Sequence, residues 1–207
     1  MRPLPRVHAF TTAELLGAAD FAIRAAAIAS GGPAVALHAR AREVSGQALT
    51  AAALRVGALV RPPEATLFIS GRPDIAAALG AQGVQLSGRD LAPADARRVM
   101  GPGWIGCSVH SVPAGERALA EGADFLVVGS IFETASHPGY AARGLSLISD
   151  TAALGKPVIA IGGMTPERAW QAREAGAYGV AAISALWSAA DPAAATMAML
   201  GPWVAGA

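Results

Sequence analysis

Arg173-Glu174-Ala175-Gly176-Ala177-Tyr178-Gly179-Val180-Ala181-Ala182 joins the end of one element to the start of the next within a single turn. The Ala-rich run before it suits a helix. Gly176 suits a left-handed closing residue, and the small and β-branched run after it suits a strand. The same joint recurs at LGAQGVQL (79–86) and AEGADFLVV (120–128). A helix that closes straight onto a strand, repeated along the chain, is the mark of a parallel sheet with its helices outside.

From these joints the alternation extends in both directions. The pattern predicts strands at 7–11, 34–39, 66–69, 83–86, 104–109, 124–128, 157–161 and 179–182. It predicts helices at 14–30, 47–60, 74–79, 93–100, 114–121, 145–153, 166–175 and 192–200. Eight such units imply an α/β chain closed into a single (β/α)8 TIM barrel, one domain over 1–207 with a short C-terminal extension at 201–207. A doubly wound open sheet is the competing architecture. It usually carries a glycine-rich turn after strand one, where this chain has Thr11-Thr12-Ala13-Glu14.

Composition narrows the function. Sixteen basic residues oppose fifteen acidic ones for a net charge of +1, which gives no broad field for nucleic acid. Apolar residues make up 53% of the chain but aromatics only 5%, so aliphatic side chains must fill most of the core. No apolar run is long enough to span a membrane, and the N-terminal MRPLPRVHAF lacks the apolar stretch of a secretory signal. The single cysteine, Cys107, rules out an internal disulfide and agrees with a cytoplasmic location. The four tryptophans can serve either a homodimer contact or helix packing, Trp170 and Trp187 among the latter.

Chemistry in such a barrel belongs at the C-terminal ends of the strands. Strand seven runs through Val158-Ile159-Ala160-Ile161 into Gly162-Gly163-Met164-Thr165-Pro166. The glycines let backbone N–H groups approach an anion, and Thr165 and Pro166 are N-cap and first-turn residues of a helix. Strand eight is followed by Ile183 and Ser184. Loops seven and eight together read as a phosphate cradle, the bland alternative being two tight turns.

Period two puts His38, Arg40 and Arg42 on one side of strand two, facing the mouth, with Arg40 able to hold a phosphate or carboxylate. His110 shares the parity of Gly106 and Ser108 on strand five, which makes it the candidate general acid/base. Cys107 has the opposite parity and is expected to pack outward. The long loop 129–139 offers Thr134 and Ser136 as donors, with Glu133 and His137 as weaker candidates. His8 and Arg72 are further possible lining residues. Asp90 has no second carboxylate nearby in sequence, so no metal is expected. Lys156, the only lysine, precedes strand seven and so lies at the wrong end of the barrel for Schiff-base chemistry.

The stretches ISGRPDIA, CSVHS, IFETASHPGYAARGLSLISD and PVIAIGGMTPER resemble the thiamine phosphate synthase superfamily. Within it the TenI-type thiazole tautomerases look closer. The resemblance covers nearly the whole chain. Synthases of this superfamily carry an Asn-Asp pair where this chain has Ser70-Gly71, and a lysine where it has His137. The resemblance implies a non-aromatic carboxythiazole phosphate as substrate, isomerised to its aromatic form without a cofactor. It implies His110 as acid/base and Gly162, Gly163 and Ser184 at the phosphate. It also places Thr134 and Ser136 near the ring or phosphate and Arg40 at strand two. An Mg²⁺-dependent synthase and a non-catalytic barrel that binds the thiazole phosphate are the competing expectations.

Overall fold

The computed structural model describes residues 2–41, 44–60, 65–134 and 141–204. Arg42, Ser136 and His137 therefore lie outside the described residues. Eight parallel strands close into a barrel in chain order: β1 Val7–Phe10, β2 Val35–Ala39, β3 Thr66–Ser70, β4 Gly83–Leu86, β5 Trp104–Val109, β6 Phe125–Val128, β7 Val158–Ile161 and β8 Gly179–Ala182. Around them lie α1 Ala13–Gly17, α2 Phe21–Ala29, α3 Gly46–Leu59, α4 Pro73–Ala78, α5 Pro93–Met100 and α6 Val112–Ala120. The ring is completed by α7 Ser146–Ala152, α8 Pro166–Glu174, α9 Ser184–Trp187 and α10 Pro192–Val204. The (β/α)8 barrel expected from the repeats is the fold observed.

The three repeated joints share one geometry. Gly80, Gly122 and Gly176 take φ of +62°, +97° and +101°. The N–H of each following alanine reaches back five residues: Ala81 to Ala76 O at 2.9 Å, Ala123 to Ala118 O at 3.0 Å and Ala177 to Ala172 O at 2.9 Å. That is the Schellman closure of a helix. The next N–H in each case binds the preceding strand, from Gln82 to Leu67 O, Asp124 to Ile105 O and Tyr178 to Val158 O. Each turn thus caps a helix and sets the register of a strand.

Alternation along the strands divides the core in two. Outward residues such as Leu37, Ile69, Val84, Cys107, Leu126 and Val128 pack against the helices. Inward residues including Phe10, Ala36, Phe68, Phe125, Val127, Ile159 and Ala181 fill the barrel. Gly83 and Gly106 make room for the inward rings, since a β-carbon at either would overlap Phe68 or Phe125. Few aromatics suffice because three of them, Phe10, Phe68 and Phe125, occupy this interior with the imidazoles of His8 and His38. The far end is sealed by the N-terminal segment, where Tyr178 Oη donates to Leu4 O at 2.9 Å and Trp104 Nε1 to Arg2 O at 3.0 Å.

Three expectations need correction. The single helix at 14–30 is two helices, broken where Ala18 is extended (ψ 140°), and Phe21 then stacks on Trp187 at a 5.3 Å centroid distance. Packing overrides the helix propensity of the alanines there. The extension at 201–207 is instead helical as far as Val204, with Pro202 inside α10. His38 does not face the mouth. It is fully buried in the barrel, stacked on Phe10 with centroids 3.9 Å apart, and its Nε2 lies 2.8 Å from His8 Nδ1.

Burial pushes the His8 pKa down from 6.5 to about 4, partly offset by its hydrogen bond to Pro5 O. Burial also holds His38 well below its ordinary value, helped by the charges of His8 and Arg40. Both rings are therefore neutral when folded, and the unfolded chain binds more protons below pH 6.5. Stability present above that pH is lost as pH falls toward about 4. The thermal midpoint is expected to drop across this window, less steeply in a His38→Leu variant. Parallel slopes for the two proteins would contradict the neutral pair.

Candidate functional site

The C-terminal mouth is built from loops whose contacts explain their residues. After β7, Gly162 and Gly163 adopt φ of +104° and +62°. Thr165 then caps α8, accepting from Arg168 N at 3.3 Å, with Pro166 in the first turn as the sequence pattern predicts. A β-carbon at Gly162 would lie 2.7 Å from Ser130 Cα, and one at Gly163 would strike the Glu133 carbonyl. The glycines therefore seat the β6–α7 loop. Ile131 N donates to Ile161 O at 2.9 Å and Phe132 N to Gly162 O at 3.2 Å. Arg168 donates to Gly163 O at 2.5 Å and sits over the Phe132 ring at 4.6 Å. On the return of the chain, Arg143 N binds Ser130 O and Gly144 N binds Ile131 O, both at 3.0 Å. The loop is thus anchored on both sides.

Ile183 leads directly into the short helix α9, which starts at Ser184. Among the described residues, the N–H groups of Gly163 and Ser184 donate no backbone hydrogen bond. Neighbouring strands β7 and β8 thus bring two such donors to one side of the mouth, a constellation suited to an anion. Thr134 is half-buried at the end of the described part of the β6–α7 loop.

Arg40 stands half-buried just beyond β2. Thr11 Oγ1 fixes the backbone there, accepting the Arg40 N–H at 2.9 Å and facing the His38 and Arg40 carbonyls at 2.9 Å each. Arg72 caps the front of α4 and pairs with Asp74 at 2.5 Å, with 44% of its side chain exposed.

His110 follows β5 on the inward parity and is exposed. Its Nδ1 is hydrogen-bonded to the Gly129 carbonyl. A carbonyl only accepts, so Nδ1 carries the hydrogen, and in the neutral ring the lone pair is then on Nε2. Among the described residues Nε2 has no hydrogen-bond partner. Cys107 packs outward as expected, and burial pushes its thiol up to about 12, helped by the charges of Glu121, Asp90 and Asp124.

Two features of the mouth escape a residue-by-residue reading. Gln85, inward on β4, donates through Nε2 to Ser108 Oγ at 2.8 Å and to Leu86 O at 2.9 Å. Ser70 Oγ is buried at the end of β3 and has no hydrogen-bond partner among the described residues. The alternation that locates His110 also places both residues inward, but spacing does not show which polar groups end up paired.

Gly71 takes φ of +72°, and a β-carbon there would lie 2.8 Å from Asp90 Oδ1. Asp90 Oδ2 is already held by Ser87 N and Ser87 Oγ, each at 2.7 Å. No group of three or more His, Cys, Asp or Glu suited to a metal occurs among the described residues. One carboxylate engaged by its own turn does not fit the oxygen-rich shell of Mg²⁺.

Fold and rim together define a β/α barrel whose mouth carries polar groups from β3, β4, β5, β7 and β8. The model of the family described as thiamine monophosphate synthase matches residues 7–186, and the chain belongs to that family of thiamine biosynthesis. It is 40% identical over 162 residues to thiamine-phosphate synthase of Thermus thermophilus, covering 77% of this chain and 78% of the relative. It is 37% identical over 202 residues to the Chromobacterium violaceum enzyme of the same name, covering 95% and 97%. Among solved structures, thiamine phosphate pyrophosphorylase from Pyrococcus furiosus superposes with a TM-score of 0.77 at 27% identity, over 94% of this chain and 93% of that one. No described helix is long and apolar enough to cross a membrane.

Gly163→Ala is expected to cost about 1–3 kcal/mol through its backbone conformation, and more through the clash with the Glu133 carbonyl. Gly122→Ala is the control. It also has positive φ, but nothing lies within 4 Å of its β-carbon position, so only the backbone cost applies. Denaturant melts of the two variants measure the difference, and equal losses would argue against the loop-seating role of Gly163.

Proposed function

We propose that this protein is a thiazole tautomerase, converting a non-aromatic carboxythiazole phosphate to its aromatic isomer. The observation that carries this reading is the state of His110. Its Nδ1–H is fixed on the Gly129 carbonyl, which in the neutral ring leaves Nε2 as the basic nitrogen. A ring held in one tautomer can take a proton from one substrate carbon and return it to another, which is the whole of the reaction. The bonds broken and formed are C–H bonds, and no group leaves. Aromaticity of the product supplies the driving force. The β7 and β8 loops, with Gly162, Gly163, Ile183 and Ser184, are assigned to the phosphate. Thr134 and Ser136 are assigned to the ring or phosphate, and Arg40 to the carboxylate. None of these steps calls on a cofactor.

A second reading is favoured by the names of the relatives. Proteins 37–40% identical are called thiamine-phosphate synthase, a transferase. Displacing pyrophosphate needs dense positive charge at the leaving group. The local donor set opposes that demand, because Gly71 adds no carboxylate beside Asp90. We therefore rank the tautomerase first.

Purified protein should aromatise the carboxythiazole phosphate without added Mg²⁺. His110→Gln should lower kcat by about 10²–10⁴-fold while the thiazole phosphate still binds. A wild-type rate equal to buffer, with Mg²⁺-dependent coupling of a pyrimidine pyrophosphate to the thiazole phosphate, would replace this reading with the second.

A further inference from the structure

The arc of the mouth formed by β3, β4 and β5 faces β7 and β8 across the ring, since β4 is diametrically opposite β8 in a closed eight-strand barrel. Register sets Ser70 beside Gln85 and Gln85 beside Gly106, so Ser108 stands one inward position further along β5. Continuing the β2–β3 register beyond Ala39↔Ile69 puts Arg40 next to Ser70.

The hydrogen bonds of this arc have a forced direction. The Leu86 carbonyl only accepts, so the Gln85 atom 2.9 Å from it is the amide nitrogen. The second hydrogen of that nitrogen goes to Ser108 Oγ at 2.8 Å. Ser108 therefore accepts from Gln85 and retains its own hydrogen, for which there is no acceptor among the described residues. Ser70 Oγ, on the other side of Gln85, is buried and equally unpartnered. A buried hydroxyl without a partner costs free energy unless something at the site takes its hydrogen.

We propose that Ser70 and Ser108, flanking Gln85, form the subsite for the carboxylate of the bound ligand, with Gln85 the positioning residue that turns the Ser108 hydrogen toward it. This deepens the tautomerase reading and rests on it for the identity of the ligand. The two hydroxyls offer donors to a group that can only accept, and Arg40 beside Ser70 supplies positive charge. With phosphate held at β7–β8, the ring then lies across the mouth between two anion-holding arcs, His110 following β5 at the edge of the second.

Calorimetry with two probes tests this: the aromatic carboxythiazole phosphate, and the same thiazole phosphate without its carboxylate. Ser70→Ala and Ser108→Ala should each weaken binding of the first about tenfold and leave the second unchanged. Ser108→Thr keeps the hydroxyl and should retain affinity. Gln85→Glu replaces the donor with an acceptor, which draws the Ser108 hydrogen away, so it should mimic Ser108→Ala. The double variant Gln85→Glu/Ser108→Ala should lose no more than either alone. Melting curves report whether each variant is folded. Equal losses for both probes, or additive losses in the double variant, would overturn the subsite. Loss of carboxylate-selective binding without any turnover by the wild type would sink the tautomerase reading and leave the subsite standing.

Discussion

A left-handed glycine at the end of a helix governs more of this molecule than any side chain in its mouth. At Gly80, Gly122 and Gly176 the chain turns, caps the helix behind it and hands the second N–H that follows to the neighbouring strand. That single hydrogen bond sets where a strand begins against its partner. In a sheet with a side-chain period of two, a slip of one residue would exchange the inside of the barrel with the outside. Placing Gln85 on β4 inward, and its outward neighbours Val84 and Leu86 against the helices, follows from the joint at Gly80. The polar rim is thus a consequence of turn geometry at the opposite end of the barrel.

The interior is graded along the barrel axis. Aromatic rings of Phe68 and Phe125 fill the body, accepted by glycines on β4 and β5, and polar groups appear only where the strands end. His8 and His38 break this order. They are neutral, hydrogen-bonded to each other and stacked among phenyl rings, and His38 Nδ1 has no partner. A charged imidazole there would face desolvation, with no carboxylate beside it among the described residues. The pair serves as packing with a polar seam, and Arg40 above it discourages protonation further. Among the described residues, the positive charge beside the pair is carried by Arg40 and not by the buried rings.

Local signals were legible wherever chemistry and geometry coincide in a few residues. The three joints, the Thr165-Pro166 helix start and the outward parity of Cys107 all follow from short-range rules, and the structure agrees with each. What escaped depends on partners distant in sequence. The break between α1 and α2 exists because Phe21 meets Trp187 from the other end of the chain. His38 has the parity of Arg40, but parity gives the face of the sheet and not the depth along the barrel, so a core position was mistaken for a rim position. The seating of Gly162 and Gly163 against the β6–α7 loop is equally non-local: glycine can mean approach of an anion or approach of a neighbouring backbone, and here the β-carbon positions are taken by backbone, while the Gly163 N–H donates no backbone hydrogen bond among the described residues.

Membership of a synthase family does not by itself decide which reaction a given mouth performs, because the two reactions differ in the charge they must stabilise. Pyrophosphate displacement develops negative charge on a leaving group, and a metal held by paired carboxylates answers it. Proton transfer between carbons develops charge only within the ring and asks for one base of fixed tautomer beside a firmly anchored substrate. At β3 and β4 this chain has a glycine whose vacant β-carbon position points at an aspartate already held by its own turn. At β5 it has an imidazole whose hydrogen is committed to backbone. Between them, Gln85 donates to the Ser108 hydroxyl. On the tautomerase reading proposed above, the same scaffold, with no carboxylate at position 71, holds an anionic ring still rather than drawing an anion away from it.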